Sequence, residues 1–185
     1  FGNLVTMEWW TELWLNEGFA RFMEFEAVHD IFPEWNVWGS FVQDITLATA
    51  MKKDAMESSH PIEVVVHHPD EVDQIFDVIS YAKGASVIRM LANFIGIDKF
   101  YVGMHNYLTK FAYGNAQTVD LWHALEAASG LEITAMAHTW TTQMGFPVVT
   151  VTKDGSIVTL EQQRFLANGS SDAVSKWDVP ITFTT

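Results

Sequence analysis

The spacing of apolar residues predicts helices over most of the chain. The first helix is expected from Thr11 to about Ile31, and its apolar positions are Leu13, Trp14, Phe19, Phe22, Met23 and Val28. They recur at intervals that place them on one side of a helix, as burial of that side requires. Pro33 marks the end of this helix and the start of a second one, which should extend past Leu47, because proline suits a first turn.

The helical pattern is interrupted between Ser58 and Pro69. This stretch contains two prolines and a run of three valines, a composition that favours an extended loop or an edge strand. Asp70 follows at a position where aspartate commonly caps a helix. We therefore expect extended backbone here, followed by a short helical turn that reaches Phe76.

Four further helices are predicted before the pattern changes. Their approximate bounds are Ser80–Phe94, Asp98–Leu108, Thr118–Ala128 and Ile133–Met144. Gly96 and Gly130 should act as C-terminal caps, because glycine adopts the left-handed backbone conformation without steric cost. Asp98 is expected to cap its helix at the N-terminus. The short connections favour antiparallel helix pairs.

The sequence after Pro147 is typical of β-structure. Two runs rich in valine and threonine, Val148–Thr152 and Ile157–Leu160, flank an Asp-Gly turn signal and predict a hairpin. Residues 177–183 are expected to add a third strand. Three strands do not close a sandwich, so we place a domain boundary near Gly145. The predicted fold is mainly α over residues 1–145, with a short, truncated β segment over residues 146–185.

Composition and charge exclude several classes of function. Hydrophobic residues make up 49% of the chain, which favours a folded core over disorder. No apolar run reaches the roughly 18 to 20 residues of a membrane span. The formal net charge of −13 argues against a nucleic-acid partner, because phosphate binding needs a basic surface. The chain has no cysteine, which excludes disulfides and thiolate metal sites within it.

Glu17 is the first candidate for chemistry. The segments Phe1–Thr6 and Leu13–Ala20 resemble the gluzincin zinc aminopeptidases without a gap. In that family two histidine ligands lie on a His-Glu-x-x-His helix, and a glutamate after eighteen intervening residues is the third ligand. The resemblance implies that Glu17 is a zinc ligand and also a substrate-binding residue near the peptide amine. The alternative interpretation is a surface carboxylate in the middle of a helix.

The position of Glu17 in the chain carries a further expectation. Sixteen residues precede it, so the family spacing places the second histidine upstream of Phe1. We therefore expect a piece of a longer protein, with the His-Glu-x-x-His and Gly-x-Met-Glu-Asn motifs encoded upstream. On that expectation, the chain alone neither holds zinc tightly nor hydrolyses peptides.

Tyr81 is the second candidate. The segment Phe76–Ala85 resembles the aminopeptidase segment that carries a catalytic tyrosine, and a phenol O–H can stabilise the oxyanion formed during amide hydrolysis. The alternative interpretation is a tyrosine with its ring in the core and its hydroxyl in water. Lys83 could also serve as an oxyanion donor, although an ion pair with Asp77 or another carboxylate is favoured. Gly84 is expected to permit close helix packing.

The seven histidines do not offer a separate metal site by spacing. None forms a His-x-x-x-His pair. His67 and His68 are adjacent, and neighbouring side chains of an extended segment point in opposite directions. The segment Ser59–Ile62, which contains His60, resembles the family as well and implies a structural role beside the active site.

The resemblance runs the whole length of the chain and is closest to the puromycin-sensitive aminopeptidase branch. It implies the helical half of a thermolysin-like catalytic domain, followed by the start of a β-sandwich domain. It also implies one Zn²⁺ per intact catalytic domain, metal-activated water, peptide substrates with a free N-terminus, and a cytoplasmic location, although membrane-anchored or secreted relatives are also compatible. Two alternatives stay open: a pseudo-peptidase without its ligands, and a helical protein-binding scaffold.

Overall fold

The computed structural model describes residues 1–170 and 174–182. Helices dominate the part before residue 145, as the apolar spacing predicts. The first, α1 (Trp14–Ile31), follows a short strand, β1 (Val5–Met7), and a 3₁₀ turn (Trp10–Glu12). A second 3₁₀ turn at Pro33–Trp35 confirms that proline separates two helices.

The second helical region contains a π-helical stretch that the apolar spacing does not predict. It begins as α2 (Val37–Ser40), continues as a π-helix over Phe41–Ala50, and ends as α3 (Met51–Asp54). A shorter π-helical stretch, Ile79–Lys83, precedes α5 (Gly84–Ile95). π-helical turns are rare and occur frequently at functional sites, so the second stretch, which contains Tyr81, marks a place to look for chemistry.

The connection between these regions is an irregular loop and not an edge strand. Its Val66 side chain is buried with Leu13 and Ile75 in a small separate cluster. A 3₁₀ turn (Pro69–Glu71) and α4 (Val72–Ile75) follow. The prediction that the Asp70 side chain caps this turn is wrong.

The side chains of His68 and Glu71 cap that turn. The ring nitrogen Nδ1 of His68 accepts a hydrogen bond from the Asp70 amide at 3.3 Å. In return, the Glu71 carboxylate accepts one from the His67 amide at 2.9 Å. The free backbone amides at the start of the turn therefore find acceptors in the His68 and Glu71 side chains, and the Asp70 side chain is not needed there.

The remaining helices follow the predicted order. They are α5, α6 (Ile97–Lys110), α7 (Thr118–Ser129) and α8 (Thr134–Thr141). Gly96 and Gly130 lie at the predicted C-caps with φ of +91° and +73°. The Asp98 side chain makes no capping hydrogen bond, contrary to prediction, because the helix begins one residue earlier, directly after Gly96. The last helix ends at Thr141 and not at Met144.

One core holds the helices together. The Trp14 ring is fully buried, its centre 5.5 Å from that of Trp122, and its Nε1 donates to the Thr118 hydroxyl at 3.2 Å. Strand β1 pairs in parallel with β2 (Gly114–Ala116) at the edge of this core. The start of the chain is thereby attached to the helices that follow residue 97.

The predicted hairpin is present. Strand β3 (Pro147–Asp154) pairs antiparallel with β4 (Ile157–Arg164), and Gly155 occupies the turn with φ of +59°. The predicted third strand is wrong for the described residues 177–182, and Phe183 lies outside the described part. Instead, the Gln162 side-chain amide bonds the backbone of Trp177, donating to its carbonyl at 2.8 Å and accepting from its amide at 2.9 Å. Within the described ranges, every helix is too short or too polar to cross a membrane.

Candidate active site

The fold places Glu17 and Tyr81 next to each other, because their chain neighbours Gly18 and Ser80 approach closely. Glu17 lies in the first turn of α1, Tyr81 lies in the short π-helical stretch, and both side chains are partly exposed. The pKa of Tyr81 is raised to about 12, first by burial and then by a hydrogen bond to the Glu17 carboxylate and by its charge, while Arg21 on α1 opposes the shift. The phenol therefore keeps its proton at neutral pH and can donate it.

Two glycines allow this close placement. A Cβ atom on Gly18 would lie only 3.2 Å from the Gly84 carbonyl carbon and 3.3 Å from the Ser80 carbonyl oxygen. Contacts this short leave no room for a side chain, so the backbones of α1 and the Tyr81 segment approach each other directly. Each glycine is adjacent to, or one turn from, a candidate residue. The expectation that Gly84 permits close packing is confirmed.

Asp77 anchors the start of the Tyr81 segment. Its Oδ1 atom accepts hydrogen bonds from the amides of Ile79 at 2.8 Å and Ser80 at 3.3 Å. The first amides of a helix have no acceptor within the helix, so this carboxylate satisfies them. The Ser80 hydroxyl adds a second attachment by donating to the Ile75 carbonyl at 2.7 Å.

The other Asp77 oxygen binds His60. Its Oδ2 lies 2.9 Å from Nε2 of His60, whose Nδ1 lies 2.7 Å from the Pro61 carbonyl oxygen. The hydrogen bond to Asp77 raises the pKa of His60 despite partial burial. Burial disfavours the charged form of Asp77, but the hydrogen bond and charge of His60 outweigh it and lower the pKa of that carboxyl.

Lys83 is not available to a substrate. Its Nζ lies 2.8 Å from Oδ2 of Asp54 and donates to the carbonyls of Gln143 at 3.1 Å and Gly145 at 2.9 Å. An ammonium has three protons, and all three are used inside the protein. The predicted ion pair of Lys83 with Asp77 is wrong, and the predicted pair with another carboxylate is confirmed. Burial lowers the pKa of Lys83.

The side chains present fit part of a zinc site. Among the described residues, no three His, Cys, Asp or Glu side chains lie close enough together to hold a metal. A carboxylate oxygen is an accepted zinc ligand, and a catalytic zinc takes three protein ligands. Glu17 is a partly exposed carboxylate next to a hydroxyl donor, so it is chemically suited to be one of the three.

Comparison with known proteins identifies the family. The model of the Peptidase family M1 domain matches residues 1–140. The chain belongs to peptidase family M1. Aminopeptidase M1-D of Oryza sativa subsp. japonica is 53% identical over 182 residues, which is 98% of this chain and 20% of that protein. Aminopeptidase 2, mitochondrial, of Saccharomyces cerevisiae is 51% identical over 168 residues, 90% of this chain and 18% of that protein. The chain spans about a fifth of the length of these relatives.

Sequence reasoning missed the role of Asp77 beside the two candidate residues. Asp77 precedes a predicted helix by the short distance typical of capping residues, and that signal could have found its role. The link between His60 and Asp77 has no local signal, because only folding brings the two residues together.

Proposed function

We propose that this chain is part of a zinc aminopeptidase that hydrolyses the N-terminal residue from peptides with a free N-terminus. Glu17 is the third zinc ligand and a contact for the substrate amine, and Tyr81 is the oxyanion donor. The proximity of Glu17 and Tyr81 carries the proposal, because the close approach of their two segments brings together the residues of this chain that such a site needs. The aminopeptidases among the relatives support it.

The roles of zinc, Glu17 and Tyr81 in this proposal follow from the chemistry of each group. When bound, zinc supplies a Lewis acid that lowers the pKa of a bound water and polarises the substrate carbonyl. Glu17 offers an anionic oxygen, and its position beside Tyr81 orients the phenol. Tyr81 donates its proton in a hydrogen bond to the carbonyl oxygen as negative charge develops there.

The rest of the site belongs, in this proposal, to the remainder of a full-length protein. We place there the two histidine ligands and the general-base glutamate, so this chain alone should be inactive. Residues 1–145 are proposed to belong to a thermolysin-like catalytic domain and residues 146–185 to the start of a β-sandwich domain. The family match, which covers residues 1–140, supports this division. The resemblance to the puromycin-sensitive aminopeptidase branch is the basis for proposing a cytoplasmic location.

The first arm of the test is Tyr81→Phe in the full-length protein. We expect kcat on an aminoacyl-arylamide to fall by at least roughly 10²-fold, because one oxyanion donor is lost. Zinc content should stay unchanged. Tyr113→Phe is a matched control, since Tyr113 is 91% exposed and distant in sequence from the site. Turnover of Tyr81→Phe near that of the wild type would refute the assignment.

The second arm is Glu17→Ala in the same protein. Loss of one of three protein ligands should remove most of the bound zinc, measured by elemental analysis after gel filtration. Glu34→Ala, at an exposed glutamate beyond α1, controls for loss of a carboxylate. A full zinc complement in Glu17→Ala would rule out ligation, and a wild-type protein without zinc would favour the pseudo-peptidase.

A further inference from the structure

We propose that His60 and Asp77 are positioning residues for Tyr81: together they fix the start of the helical segment that carries the phenol. This inference rests on the proposed function, because it assigns a purpose to the placement of Tyr81. Neither residue needs to touch the substrate or the metal. The pair acts by holding the backbone amides before Tyr81 in place. Its two side chains are separated by sixteen intervening residues in the chain.

The two oxygens of Asp77 have different tasks. Oδ1 holds the amides of Ile79 and Ser80, which are the two residues directly before Tyr81. Oδ2 faces the ring of His60. A carboxylate bound on one side only could rotate about its side-chain bonds. Bound on both sides, it fixes the direction from which the Tyr81 segment starts.

His60 is held just as firmly. Its two ring nitrogens face a carbonyl oxygen and a carboxylate oxygen, at 2.7 Å and 2.9 Å. Both of these oxygens only accept hydrogen bonds, so both nitrogens are placed to donate when the ring is protonated. Charge-assisted hydrogen bonds of this kind are about twice as strong as neutral ones. His60 and Asp77 are each 24% exposed, so water weakens the pair only in part.

The segment behind His60 is anchored to the core. Ile62 is 2% exposed, and the Glu63 amide donates to the Thr141 carbonyl, at the end of α8, at 2.8 Å. The attachment therefore runs from α8 through the loop to His60, then to Asp77 and the amides before Tyr81. An error of about 1 Å in the position of a catalytic group can cost on the order of 10²-fold in rate. Loosening this attachment should reduce kcat without removing any reacting group.

The first test replaces each member of the pair in the full-length protein. For His60→Phe and Asp77→Ala we expect kcat to fall roughly ten- to hundred-fold, with KM changed less than about two-fold and zinc content unchanged. Asp77→Asn keeps an oxygen for the two amides and should retain more activity than Asp77→Ala. The matched control is His68→Phe, which breaks a His–Asp pair whose side chains are 66% and 89% exposed, and its kcat should stay unchanged. Wild-type kcat in His60→Phe would overturn the proposal.

The second test asks whether the effect passes through Tyr81. In a Tyr81→Phe background, His60→Phe should lower kcat by less than about two-fold, because the group it positions is already absent. An equal fall in both backgrounds would overturn the positioning role and leave general disruption. Binding of a phosphonic peptide inhibitor, which presents a tetrahedral oxyanion, gives a readout independent of turnover. Its Kd should rise in His60→Phe, and in the double variant it should equal the Kd of Tyr81→Phe alone.

The two proposals fail differently. If Tyr81→Phe turns over at the wild-type rate, the oxyanion role fails whatever His60 does. If Tyr81→Phe is impaired and His60→Phe is not, only the positioning role fails. Should His60→Phe not fold, His60→Gln replaces it, since its amide can still donate to Asp77. His60→Gln should have a higher kcat than His60→Ala. Equal kcat values for the two variants would contradict a role for the hydrogen bond to Asp77.

Discussion

His60 shows how a single side chain can be fixed in one charge state. Two acceptors surround its ring, and the charge of Lys53 on α3 opposes but does not cancel their effect on its pKa. A group whose pKa is raised by folding stabilises the folded state while it is protonated. Its contribution is complete below the ordinary histidine pKa of about 6.5 and is lost as pH rises through the raised value.

This linkage predicts a pH-dependent effect of His60→Phe on stability. The variant should unfold more easily than the wild type at pH 5 to 6, and the difference should narrow as the pH rises through the raised pKa of His60. Thermal unfolding of both proteins from pH 5 to 9 measures it. His105→Phe, at an exposed histidine of α6, should change stability little at any pH, because substitutions at exposed positions usually change it by no more than about 0.5 kcal/mol. A difference that widens with rising pH would contradict the sign of the shift.

At the scale of elements, the site depends on how closely two helices approach. Gly18 on α1 and Gly84 at the start of α5 meet backbone to backbone. The π-helical turn before α5 holds Tyr81 beside Glu17, close to the point where the two glycines meet. A larger residue at either glycine would separate Glu17 from Tyr81.

We predict that Gly18→Ala is harmful although alanine favours helices. The gain in helix propensity is about 1 kcal/mol, while overpacking against a rigid backbone typically costs about 1 to 3 kcal/mol. The melting temperature and kcat should both fall, measured by calorimetry and by arylamide turnover. Ala20→Ser, at an exposed position of the same helix, should change neither. A more stable and fully active Gly18→Ala would show that the helices can move apart freely.

At the scale of the whole molecule, a buried ion pair joins the helical part to the hairpin. Asp54 and Lys83 are 3% and 7% exposed. Lys83 holds the Gly145 carbonyl, and Oδ1 of Asp54 accepts from the Gly145 amide at 2.7 Å. Both backbone groups of the residue near the predicted domain boundary are therefore bound to the element that carries Tyr81 and to α3.

Lys83→Met should destabilise the protein by about 3 to 5 kcal/mol, because it leaves the Asp54 charge buried without its partner. The measurement is the shift of the thermal midpoint, together with the rate of chymotrypsin cleavage in the hairpin. Lys52→Met, at an exposed lysine of α3, the helix that carries Asp54, serves as the control. The double variant Asp54→Leu with Lys83→Met should recover part of the loss, since no lone charge remains. Wild-type stability of Lys83→Met would contradict a structural role for the pair.

The helices and the hairpin could be predicted because their signals are local. Apolar spacing, Pro33 and the glycines at 96 and 130 act within a few residues, and they give the order of the helices correctly, although α8 ends earlier than predicted and the two π-helical stretches were not predicted. The errors lie where a nearby group substitutes for the expected one. His68 and Glu71 replaced Asp70 as caps, and the side chain of Gln162 replaced a third strand beside Trp177.

The sequence by itself determined the family, the order of the elements and the two candidate residues, Glu17 and Tyr81. Short motifs and periodicity are properties of neighbouring residues, so they can be recognised without coordinates. Only the tertiary structure decided that these two residues lie next to each other, that Lys83 pairs with Asp54, and that Asp77, paired with His60, holds the amides before Tyr81. Contacts between residues far apart in the chain depend on how helices pack, and packing is set by the whole core and not by any one segment.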